Sequence, residues 1–209
     1  MAVVQTIDGD CRIKGSLTLG GSLSPAIARS GLAQDDNAEY VVPWASLRVF
    51  DALATNLPAT SGTDDLGLYG GTFGSASPKV STGDVKASSV TRYARFQFAL
   101  PPEYVAGQSV TVRLHAGMTT TAADTSATVD VECYKSDDEA GIGSDLCTTT
   151  AADINDTTDA DFDFVITPTG LTAGDVLDIR LTVAVVDSAT GTAVIADIGK
   201  ISVLLDIKG

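Results

Sequence analysis

His115, the cysteines Cys11, Cys133 and Cys147, and a few acidic clusters are the side chains of this 209-residue chain best suited to chemistry. His115 is the sole histidine. One imidazole cannot build a multi-histidine metal site, and a Ser-His-Asp or Cys-His arrangement needs it beside a nucleophile. No Gly-x-Ser-x-Gly elbow is present. Paired carboxylates are the other route to hydrolysis. Here they gather at Asp35-Asp36, Asp64-Asp65 and Asp137-Asp138-Glu139, where the reading is of solvated turns capping nearby amides. Asp159, Asp161 and Asp163 begin with EF-hand spacing, but Phe164 replaces the required glycine and Gly170 the closing glutamate. A calcium site of another geometry stays open. No GxGxxG or P-loop occurs. The expectation is a chain with no catalytic residues, no metal and no cofactor.

The cysteines form no CxxC pair, which argues against zinc. Cys133 and Cys147 fall where the two ends of a hairpin would place them in reach of each other. Their plain alternative is as small buried hydrophobes, and in a reducing compartment they stay thiols. Trp44, Tyr69, Phe73, Tyr93 and Tyr104 are the aromatic residues available for a sugar platform, but they are scattered along the chain.

The elements that must position these groups are strands. Thr, Val, Ala, Ser, Gly and Asp dominate, and β-branched residues suit a pleated strand. From Arg92 onward, apolar residues alternate with polar ones in six runs. These are led by Phe96-Phe98-Leu100, Val110-Val112-Leu114, Ala127-Val129-Val131-Cys133, Phe162-Phe164-Ile166, Leu177 to Val185 and Ile201 to Ile207. A period of two gives each run one apolar face. Six amphipathic strands with turn signals between them predict two packed sheets. The segments 101–108 and 168–175 read as matching corners, which suits the doubled hairpins of a jelly roll. The expected fold is all-β: an antiparallel, jelly-roll-like sandwich over 92–209 with an extended N-terminal arm over 1–43. Residues 44–91 are expected as a loop-rich segment whose short strands pack on the sandwich. Asp35-Asp36-Asn37 reads as a turn, and 44–50 as a strand or a short helix.

The net charge of −14, from 27 acidic and 13 basic residues, repels phosphate backbones and anionic headgroups. Neither nucleic acid nor membrane is expected as a partner. No apolar run approaches the ~20 residues of a membrane-spanning helix, and the first residues lack a secretory signal. Synthesis in a cytoplasm without standard export is the expectation.

The stretch from Arg95 to Gln108, the ending Val203-Leu204-Leu205-Asp206-Ile207-Lys208-Gly209 and the early Gly-Ser-Leu-Thr-Leu-Gly-Gly-Ser-Leu segment resemble virion structural proteins of tailed bacteriophages. A small sandwich with an N-terminal arm resembles their capsid decoration (cement) proteins. That resemblance implies a homotrimer on the outer surface of a virion, bound to the major capsid protein. The alternative is a receptor- or carbohydrate-binding sandwich of a tail fibre or spike. Expected partner contacts are Ile13, Leu17, Leu19, Leu23 and Ile27 in the arm, Trp44, and the outward apolar residues Val176, Val186 and Leu204.

Overall fold

A computed structural model describes residues 36–120, 126–136, 143–188 and 192–207. Twelve strands and one short 3-10 turn, Trp44–Ser46, are formed among them. The strands are β1 (Asp36–Val41), β2 (Arg48–Val49), β3 (Ala52–Asn56), β4 (Gly67–Tyr69), β5 (Lys79–Ser81), β6 (Ser89–Ala99), β7 (Val110–Thr120), β8 (Ser126–Lys135), β9 (Ala152–Asp153), β10 (Ala160–Ile166), β11 (Val176–Val186) and β12 (Ile195–Ile207).

Two antiparallel sheets result. In the first, β10, β7 and β12 lie side by side, and the far edge of β12 pairs with β5 over one stretch and with β1 over another; β4 lies beyond β5. The second runs β3-β2-β6-β11-β8-β9. Four nested hairpins account for this order: β1 pairs with β12, β6 with β11, β7 with β10 and β8 with β9. A long hairpin rolled into two sheets in this way is a jelly roll. The chain is an all-β, antiparallel, jelly-roll-like sandwich.

The alternation read from the sequence sets the core. Leu177, Ile179, Leu181, Val183 and Val185 of β11 face inward with Phe96, Val129, Val131 and Cys133, against Val112, Leu114, Phe164, Ile201 and Val203 of the first sheet; all are buried. β11 is one of the two middle strands of its sheet. In β12 the buried apolar positions change parity, from Ala196 and Ile198 to Ile201, Val203 and Leu205. A register shift between Ile198 and Lys200 absorbs the extra residue, as a bulge does.

The corners at 101–108 and 168–175 do match. Tyr104 and Leu171 amides donate to Pro101 and Pro168 carbonyls, both at 3.0 Å, and Gln108 and Asp175 amides donate to Val105 and Thr172 carbonyls. Gly107 and Gly174 take positive φ, 81° and 93°, at equivalent places. The corners also join each other, through Leu100 N–H to Asp175 O at 2.8 Å and Gly174 N–H to Leu100 O at 2.9 Å.

The extent of the sandwich differs from expectation. It takes in residues well before Arg92: β2 and β3 extend the second sheet, and β4 and β5 the first. Part of the expected arm, Asp36–Val41, is a strand of the first sheet. Asp36 and Asn37, expected in a turn, begin that strand, because the long β12 offers them a free edge. The 44–50 segment is divided between the 3-10 turn and β2. Two or three residues per strand leave no period to detect.

Candidate functional site

The outer faces of the two sheets have different chemistry. On the first, β10, β7, β12 and β1 carry a ladder of opposite charges. Arg113 donates to Asp163 through Nε at 2.6 Å and Nη2 at 2.7 Å, and His115 Nδ1 lies 2.8 Å from Asp161 Oδ1. Lys200 and the Ser202 hydroxyl both reach Glu39, at 2.5 and 2.7 Å. The Arg113 bond holds Asp163 below the usual carboxylate range and raises Arg113 itself. Lys200 and Ser202 hold Glu39 down in the same way. His115 thus lies within an ion-pair ladder on a sheet surface.

The second sheet gathers a different set. Register places Arg48 opposite Arg95, Arg95 opposite Arg180, and Arg180 opposite Glu132 across β2, β6, β11 and β8. Three like charges directly opposite one another are unfavourable, so each guanidinium has an arrangement of its own. Arg95 grips the buried Asp178 with both Nε, at 2.6 Å, and Nη2, and donates Nη1 to Phe50 O at 3.3 Å. The Asp178 bond raises Arg95 further above its ordinary value. Arg180 Nη2 lies 2.6 Å from Glu132 Oε1, and its Cζ lies 4.9 Å from the centre of the Tyr93 ring. Arg48 curls back to the carbonyls of Ala45 and Leu47.

Tyr93 in turn packs on Phe50, with ring centres 4.5 Å apart and planes tilted by 45°. Phe50, Tyr93 and Arg180 form a continuous stack, a cation over an aromatic face. Phe50, Arg95, Glu132, Tyr134, Asp178 and Arg180 line an open recess of about 250 Å³. Burial is the leading cause that raises the Tyr134 phenol above its ordinary value. The Nε of Arg180 is buried without a hydrogen-bond partner among the described residues. The recess offers flat apolar ring surface beside guanidinium donors and carboxylate acceptors, all set by strand register.

The residues expected from sequence fall elsewhere. Ile13, Leu17, Leu19, Leu23 and Ile27 lie outside the described residues. Trp44 is half-buried in the 3-10 turn and packs against the core. Val176 and Val186 stand at opposite ends of β11, and Leu204 lies on the other sheet, opposite Glu39 and Thr111. The structure does not bring these four together. Tyr104, proposed as a platform aromatic, is fully buried, and its hydroxyl donates to Gln108 O at 2.6 Å. Burial inside a corner removes it from any ligand surface. Tyr69 contacts Ser61, and Phe73 is fully exposed on the 70–78 loop.

The carboxylates weighed for calcium are dispersed. Asp153 and Asp156 cap the amides of Asn155 and Thr158, Asp161 and Asp163 join the charge ladder, and Asp159 folds over Gly117. Among the described residues no cluster of three or more potential ligands suits a metal ion. Asp65 departs from the expected solvated turn: it is partly buried, and its Oδ1 has no hydrogen-bond partner among the described residues. Phe50, Arg95, Arg180, Glu132 and Tyr134 were not singled out from the sequence. The signal was present, as outward polar positions on strands that also carry large side chains, but register decides which of them meet.

No family model and no curated protein matches the sequence. Among solved structures, the chain is similar to the CBM36-1 domain of a multidomain xylanase from the hindgut metagenome of Trinervitermes trinervoides, at 14% identity and a TM-score of 0.41, over 80% of this chain and 96% of that one. It is similar to the xylan-binding module CBM15 at 15% identity and 0.42, over 83% and 100%. It is also similar to the K3 cleaved adhesin domain of Lys-gingipain from Porphyromonas gingivalis, at 12% identity and 0.40, over 81% and 99%. These are distant likenesses of one β-sandwich to others.

Proposed function

We propose that this sandwich acts by binding and not by catalysis, and that it takes a carbohydrate on the outer face of the second sheet. The carrying observation is the recess where Phe50 and Tyr134 meet two guanidinium–carboxylate pairs, with Tyr93 stacked against Phe50 and Arg180 beside it. Sugar rings have an apolar face that packs on an aromatic ring and a rim of hydroxyls. Those hydroxyls suit planar donors and acceptors held in fixed geometry. The local cost of three arginines in register also points to a ligand surface. A glycan array followed by titration calorimetry tests this. Tyr134→Ala is expected to weaken the best glycan about tenfold or more, as loss of a central aromatic contact does, with an unchanged melting temperature. An array with no binder, or binding indifferent to Tyr134, rejects the reading.

A second reading, a decoration protein docking on a major capsid protein as a homotrimer, is favoured by a separate observation. Val41, Phe73, Val165 and Val186 are exposed large apolar side chains on four different elements, which suits contacts shared among several neighbours. Copy number in a purified particle tests it: a shell protein is present in hundreds of copies and a fibre tip in a few. If capsids lacking this chain fail to bind it when it is added back, that role is excluded.

A further inference from the structure

Cys133 and Cys147 lie on either side of one carboxylate. The amide of each donates to the same oxygen, Asp145 Oδ1, both at 2.9 Å. The Leu146 amide also donates to Cys133 O at 2.8 Å. Two amide nitrogens that share one acceptor at 2.9 Å stand no more than about 6 Å apart, so the two backbones run side by side, as the short Cα separation of a disulfide requires. Both side chains turn toward the same core: Cys133 is buried in it and Cys147 packs against it half-buried.

The geometry points to Cys133 and Cys147 as a disulfide-forming pair that closes the chain between β8 and the segment leading to β9. The oxidant is a small-molecule disulfide. Cys147, the more accessible, attacks it as thiolate; one sulfur joins Cys147 and the other leaves as a thiol once protonated. Cys133 thiolate then attacks the Cys147 sulfur and expels the second thiol. Two protein thiols are oxidised, and one small disulfide is reduced to two thiols. Burial raises both cysteine thiols above their ordinary range, so closure in the folded chain is slow at neutral pH and quickens as pH rises.

The bond also bears on the opposite surface. Cys133 lies between Glu132 and Tyr134, whose side chains point to the other face of β8. The cross-link fixes that strand end whatever ligand the face takes.

The test uses the full chain carrying Cys11→Ser, so that two thiols remain. One sample is treated folded with oxidised glutathione at about pH 8.5. Another is unfolded and refolded in a glutathione redox buffer, which removes any barrier from burial. After refolding, we expect no free thiols, a two-dalton mass loss, and a peptide linking Cys133 to Cys147. We also expect a melting temperature about 5–10 °C above the reduced form, as closing a ring of about 15 residues gives. Cys147→Ser in the same background should show no such rise. Two countable thiols after refolding, or a dimer linked between chains, overturns the pairing, and a cross-link without added stability overturns the claim that the folded geometry suits it.

Discussion

Asp65 is the residue at which this surface departs most from a simple turn. Its carboxylate has one buried oxygen without a partner among the described residues. Burial first, then the charges of Asp51 and Asp64, raise it above the usual carboxylate range, and the Phe50 amide offsets only part of this. A carboxyl with a raised folded value favours folding below its unfolded value and loses that contribution as pH rises through the folded one. Asp65→Asn keeps an acceptor for the Phe50 amide and removes the charge. It is expected to raise the melting temperature at pH 7 by about 2–4 °C and to change nothing below about pH 3, where the wild-type carboxyl is protonated. Thermal melts across pH check this; equal gains at both ends of the range count against the charge explanation. No feature of the sequence marked Asp65 apart from its neighbour Asp64. Only the fold turns one of them inward.

At the scale of elements, the long strands were legible and the short ones were not. Val129, Val131 and Cys133 announce their strand because several periods of alternation accumulate. β2, β4 and β5 have two or three residues each and are held by neighbours more than by their own pattern. β4 shows how. A Cβ on Gly67 would lie 2.3 Å from Ser61 N and 2.6 Å from Thr60 C, so the 58–61 segment rests directly on the strand backbone. Gly67→Ala is expected to destabilise the chain by about 1–3 kcal/mol, read as a lower urea midpoint with an unchanged slope. An unaltered midpoint would mean that the segment yields at no cost. The recess was hidden for a related reason. Phe50, Tyr93, Glu132 and Arg180 are spread over four separate stretches of sequence. They meet through the pairing of Arg95 with Arg180 and of Arg180 with Glu132, which alternation alone does not reveal.

For the molecule as a whole, one sheet face stores its charges in pairs while the other holds rings and guanidinium groups around a recess. The charge ladder contributes to the acid response. Asp163 and Glu39 are held below their ordinary values. Each therefore contributes stability above about pH 4, its unfolded value, and loses it as pH falls through its lower folded value. Asp163→Asn should lower the melting temperature at pH 7 by a few degrees at most, since the pair is partly exposed. The gap from wild type should close below about pH 2–3. A gap that persists in acid would show that packing and not charge is at stake. The nested hairpins have a mechanical consequence too. Asp36 pairs with Ile207 and Val41 with Ser202, so the start of β1 and the end of β12 leave the sandwich side by side. A pull applied between them loads the ladder at right angles to the strands, along its hydrogen bonds. The bonds then open in succession, like a zip, instead of yielding together in shear, and β1 peels away while β7 still holds β12. Tension between those two points would release the first strand at low force and leave the other nested pairs closed.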